Sequence, residues 1–100
     1  MNFDSEIKKL FKTRDEAVLK QDKDLFLSTQ LAEVDYASGE GYLAIDRLKS
    51  EVLYIHSEND LEKAVFVKEI YSPKRKKPYS SFVVYFLVNT KAGLRIYKIR

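Results

Sequence analysis

Phe82-Val83-Val84-Tyr85-Phe86-Leu87-Val88 is an unbroken run of seven apolar residues. It is short, bounded by turn-formers and rich in β-branched and aromatic side chains, so it reads as a strand with neither face made for water. Ala64 to Tyr71 and Leu94 to Ile99 have the same character. Ser72-Pro73-Lys74-Arg75-Lys76-Lys77-Pro78 separates two of these runs as a hairpin loop, because its prolines cannot donate to a ladder. Thr90-Lys91-Ala92-Gly93 makes the next turn. Upstream, Ile45, Leu48, Val52 and Ile55 fit a helix, whereas Val52-Leu53-Tyr54-Ile55 is β-prone. The following Ser57-Glu58-Asn59-Asp60 turn favours a strand over 48–56, with a helical turn at the start of that stretch.

The first half is helical. Phe3, Ile7, Leu10, Phe11 and Val18 recur near the helical period, with Lys8, Lys9, Lys12, Asp15 and Glu16 on the remaining arc. Asn2 or Asp4 caps the start, and the helix runs to residue 20. Asp22 caps a second helix over 23–30, and Ser38-Gly39-Glu40-Gly41 is a loop. The fold class is therefore α+β: two N-terminal helices on one face of a four-stranded antiparallel meander sheet, a single domain over 1–100.

Composition narrows the functional classes. The chain has no cysteine, which excludes disulfides and thiolate chemistry and fits a cytoplasmic setting. No apolar run reaches the roughly 20 residues of a membrane span, and the polar start lacks a secretion signal, so a whole soluble protein is expected. Residues 1–50 carry 8 basic and 10 acidic side chains, whereas residues 51–100 carry 10 and 5. Lys74, Arg75, Lys76 and Lys77 concentrate that basicity in one hairpin tip, a site for an anionic partner. Nucleic acid is disfavoured, because the accompanying aromatics fall in core-patterned strands.

Register assigns the faces. A three-residue loop with Gly93 in the left-handed position sets Thr90 opposite Leu94; Leu53 is set opposite Val65, and Val67 opposite Tyr85. One face then holds Leu48, Val52, Phe66, Phe82, Phe86, Leu94 and Ile96, and its phenylalanines place it under the helices. The other holds Val65, Val67, Val83, Tyr85, Leu87, Tyr97 and Ile99. Two helices cover only one face, and an apolar patch of that size marks an interface. A homodimer through that second face is expected.

Three stretches carry a resemblance to a known family. Residues 14–26 (Arg14 to Phe26) resemble a first helix, an Asp and a short second helix; Ser81 to Val88 resembles a long late strand; and Gly93 to Ile99 resembles a closing strand that commonly reads Gly-Trp-basic-Ile, with Leu94 in place of the Trp. Together they are similar to the nuclear transport factor 2-like superfamily, whose cystatin-like domains wrap a curved sheet around a helix. The resemblance implies that fold. It implies no single activity, since the superfamily includes isomerases, dehydratases and cyclases beside binding and assembly modules that are often dimeric through the sheet.

Candidate chemistry is sparse. Glu69 within a β-run is a potential base, with Lys49 and Lys68 as neutralising partners. Asp35-Tyr36 offers an acid beside a phenol donor, and His56 is the sole histidine. Asp35, Tyr36, His56 and Glu69 are thus the candidate ligand-binding residues. No metal set, cofactor loop or catalytic residue emerges: Gly39-Glu40-Gly41 does not join a strand to a helix as a phosphate loop must. The preferred reading is a non-catalytic homodimeric binding or assembly domain. A pocket enzyme or carrier for a small apolar ligand is the alternative, and a nucleic-acid accessory protein acting through the basic hairpin a further one.

Overall fold

Ile7, Phe11, Arg14, Ala17 and Val18 recur along one side of the helix Phe3–Lys20 (α1), and all five are buried. In the computed structural model the described residues are 3–31 and 40–100. Helix α1 stops where Gln21 takes a left-handed backbone, φ 56°. The Gln21 N–H then donates to the Val18 carbonyl at 3.1 Å and the Asp22 N–H to the Ala17 carbonyl at 2.8 Å. That is a Schellman closure made without glycine. As expected, Asp22 caps the next helix, Lys23–Leu27 (α2), by accepting from the Leu25 N–H at 3.0 Å. This helix is shorter than its sequence suggested, because Thr29 and Leu31 turn to the last strand instead. The Thr29 carbonyl accepts from the Ile96 N–H at 3.0 Å, and the Leu31 N–H donates to the Ile96 carbonyl at 2.8 Å. A one-turn helix, Glu40–Leu43 (α3), begins inside the stretch expected to be a glycine loop.

Four strands follow: β1 (Arg47–Ser57), β2 (Glu62–Ser72), β3 (Tyr79–Thr90) and β4 (Gly93–Ile99). They form one antiparallel sheet in the order β1-β2-β3-β4, the expected meander. Two irregularities set its faces. Leu53 is skipped in the β1–β2 ladder, so Val52 pairs with Val67 while Ile55 pairs with Val65. At the last hairpin Thr90 pairs with Gly93, not with Leu94. Gly93, at φ 108°, permits the tight turn. The one-residue slip moves Leu94 and Ile96 to the other side of β4.

The face expected to meet a second copy is therefore the one under the helices. Val65, Val67, Tyr85 and Leu87 are at most 1% exposed and share a core with Ile7, Phe11, Leu94 and Ile96. Val83 and Ile99 pack against the same cluster. Of the expected interface only Tyr97 faces outward, its ring 6.2 Å from that of Phe86. Charge explains the inversion. Lys49, Glu51, Lys68, Arg95 and Lys98 lie on the Phe-rich face, by pairing with each other or with its residues Ile70, Phe82, Val88 and Phe86. Burying five charges under helices would cost far more than leaving phenylalanines wet. Among the described residues no helix is long and apolar enough to cross a membrane.

Candidate functional site

The core face carries one carboxylate. Glu69 sits on β2 directly across from Ser50 of β1, and it is fully buried. Tyr71, two residues on along the same face, donates its hydroxyl to Glu69 Oε1 at 2.6 Å. Tyr42, delivered by α3, donates to the same oxygen at 2.8 Å. Tyr85 of β3 donates to Oε2, and its hydroxyl lies 3.1 Å from that of Tyr42. Three phenols thus surround the carboxylate, in the manner required of a buried polar group. Burial, and then the charge of Glu69, push the Tyr42 hydroxyl up to about 12. Tyr71 and Tyr85 are raised as well, again chiefly by burial, with hydrogen bonding to Glu69 and its charge acting the same way.

A second buried charge faces this cluster. Arg14 of α1 is fully enclosed, its guanidinium carbon 4.2 Å from the centre of the Phe26 ring, 5.3 Å from Tyr85 and 5.5 Å from Tyr42. Its Nη1 donates to Thr29 Oγ1 at 2.8 Å and to Gln30 Oε1 at 2.9 Å. Thr29 can accept because its own hydroxyl proton goes to the Phe26 carbonyl at 2.7 Å. Nε and Nη2 are buried with no hydrogen-bond partner among the described residues. Among the described residues no ion pair joins Arg14 to Glu69. Next along α1, Asp15 accepts from the Ser50 N–H at 2.9 Å and the Ser50 hydroxyl at 2.7 Å, tying the helix to β1. Burial raises the Asp15 carboxyl, against the pull of those two hydrogen bonds.

Of the four candidate ligand-binding residues, Glu69 alone is in this cluster. Its expected lysine partners are elsewhere: Lys49 lies 3.7 Å from Glu51, and Lys68 is on the outer face. His56 is exposed, 3.9 Å from Glu58. It lies six residues along β1 from Ser50, about 20 Å away at strand rise. Asp35 and Tyr36 fall outside the described residues. Lys74, Arg75, Lys76 and Lys77 are exposed at the β2–β3 turn, where Arg75 is left-handed at φ 58°. Sequence reasoning missed Arg14, Tyr42 and Tyr71, and gave Tyr85 to the dimer interface instead. Arg14 had a signal: it occupies the empty place in the stripe Ile7, Phe11, Val18.

No protein-family model and no curated protein matches this chain. Solved structures do. An NTF-2-like protein of unknown function from Shewanella oneidensis superposes with a TM-score of 0.81 at 13% identity, covering 98% of this chain and 97% of the other. The fold is nuclear transport factor 2-like. A cystatin-like domain of unknown function from Nostoc punctiforme gives a TM-score of 0.76 at 15% identity over 96% of this chain and 74% of its own. A Mycobacterium tuberculosis protein in complex with estradiol-17beta-hemisuccinate gives 0.63 at 14% identity over 91% and 88%. These likenesses bear out the expected α+β architecture, helices on one face of a four-stranded meander.

Proposed function

We propose that this chain is a small, non-catalytic, homodimeric binding domain that lodges a small molecule between its helices and its sheet. One observation carries the reading: a buried arginine and a phenol-wrapped carboxylate stand inside a core that is otherwise mostly apolar. Buried charges cost several kcal/mol each, and a packed apolar replacement is often neutral or stabilising, about 1–4 kcal/mol in favourable cases. A core serving stability alone gains nothing from them, whereas a binding site gains oriented donors. Binding is favoured over general-base catalysis because three phenol donors already occupy the Glu69 oxygens. The similarly folded M. tuberculosis protein in complex with an organic ligand is in keeping with this.

The dimer is reassigned to the outer face. Tyr54, Phe66 and Phe82 are 60%, 41% and 72% exposed there, and the Tyr54 and Phe66 rings touch at 5.8 Å. Sheet-to-sheet pairing would cover them, with Lys49, Glu51 and Lys68 around the apolar strip. Light scattering is expected to give about twice the 11.7 kDa chain mass, and Phe82→Glu is expected to return it to the single-chain value. A wild-type mass near 11.7 kDa at high protein concentration would remove the dimer. Binding is tested separately, by whether any small aromatic molecule raises the thermal midpoint of the wild-type chain and loses that effect in Tyr85→Phe or Glu69→Gln.

A further inference from the structure

Lys74, Arg75, Lys76 and Lys77 form the tip of the β2–β3 hairpin, and every residue from Lys74 to Phe82 is exposed. Among the described residues no carboxylate pairs with any of the four cations, and the chain carries no acid after Glu69. Arg47, opposite Ser72 in the β1–β2 ladder, adds a fifth exposed cation at this end of the sheet, with the acid Asp46 beside it. Pro73 and Pro78 restrict the loop on either side, so little freedom is lost when the tip meets a partner. We infer that this end of the sheet binds single-stranded nucleic acid, the tip cations meeting phosphates and Tyr79 stacking on a base.

Charge alone fits any polyanion; Tyr79 narrows the class. Placement of the aromatics in the core argued against nucleic acid, but Tyr79 is 57% exposed. Its ring lies 4.9 Å from that of Tyr71, centre to centre, at an angle of 34°. Tyr71 is itself anchored by the bond from its hydroxyl to Glu69. The exposed ring therefore has a fixed backing, and a fixed flat ring is the platform on which an unpaired base stacks. Stacking needs a base with a free face, so a duplex satisfies the cations but not the ring. Lys77 and Tyr79 are two residues apart, about 7 Å at strand rise, close enough for one nucleotide to reach both. An anionic bilayer or an acidic peptide engages the cations alone, and the tip has no large apolar side chain to enter a lipid surface. Tyr79 pairs with Tyr71 on the Glu69 face, so pairing of two copies through Tyr54, Phe66 and Phe82 leaves it accessible.

The experiment measures fluorescence anisotropy of labelled single strands of about 12 nucleotides, thymidylate DNA and uridylate RNA, titrated with the wild-type chain. A duplex of the same length, polyglutamate and phosphatidylserine vesicles serve as competitors. Either single strand is expected to bind and to resist all three competitors. Its log affinity should fall with log salt at a slope of about −2 to −3, since three to four phosphates contribute about −0.7 each. Tyr79→Ala is expected to weaken single-strand binding by about tenfold with the salt slope unchanged, an effect that lost charge does not produce. Lys76→Ser combined with Lys77→Ser should make the slope shallower by about 1.4. All three positions are exposed, so these variants keep the fold. Failure of both strands to bind at low salt, preference for any competitor, or an unchanged affinity in Tyr79→Ala overturns the assignment. None of these outcomes bears on the interior site.

Discussion

The two faces of the sheet resolve the same problem in opposite ways. The face under the helices is largely apolar, and at Glu69 it gathers three phenols around a single carboxylate, with Arg14 packed over the Tyr85 ring. The outer face keeps its charges at the solvent and leaves Tyr54, Phe66 and Phe82 exposed among them. Apolar content therefore does not tell the inside of this sheet from its outside. The number of charges that must remain hydrated does.

The contrast can be broken most forcefully at Glu69. Glu69→Ala strips three buried phenols of their acceptor and should cost about 3–5 kcal/mol in urea denaturation. Glu69→Gln keeps an acceptor and should cost clearly less; equal losses would mean that the charge has no part in holding the cluster. Leu87→Ala, in the dry part of the same face, is expected to cost about 2–5 kcal/mol. The same measurement on Phe82→Ala, outside, should move the stability of the dissociated chain by no more than about 0.5 kcal/mol.

An alkaline titration sharpens the comparison further. Tyr42 is raised from 10.0 to about 12, so the native state retains a proton that the unfolded chain loses between those values. Its contribution is whole below pH 10 and declines as pH rises toward 12, by about 2–3 kcal/mol at 1.36 kcal/mol per pH unit. Tyr71 and Tyr85 are displaced the same way and should steepen that decline. Denaturation at pH 9, 10, 11 and 12 reads it out, and Tyr42→Phe should flatten the profile. A wild-type profile level up to about pH 12 would contradict the burial of these hydroxyls.

Local chemistry made most of the fold legible. The stripe of α1, the Asp22 cap and the proline-bracketed hairpin each act over a few residues, and each is found where the sequence places it. What escaped depends on single-residue offsets. The extra Leu53 in β1 and the Thr90–Gly93 pairing each reverse a face without changing composition or period. The site escaped for another reason. Glu69 is recognisable as an acid in a strand, but Tyr42 and Tyr85 are 43 positions apart and meet only through the tertiary fold. Arg14 was visible as a break in an apolar stripe, yet its partners Thr29 and Gln30 were expected to belong to a helix.

The strap formed by Thr29, Gln30 and Leu31 has one more consequence. By trading two hydrogen bonds with Ile96 it occupies the middle of the β4 margin, where an unpaired strand would otherwise invite recruitment by a neighbouring molecule. The residues that steady Arg14 thereby also act as a guard against fibrillar stacking, linking the upkeep of the interior to the solubility of the whole.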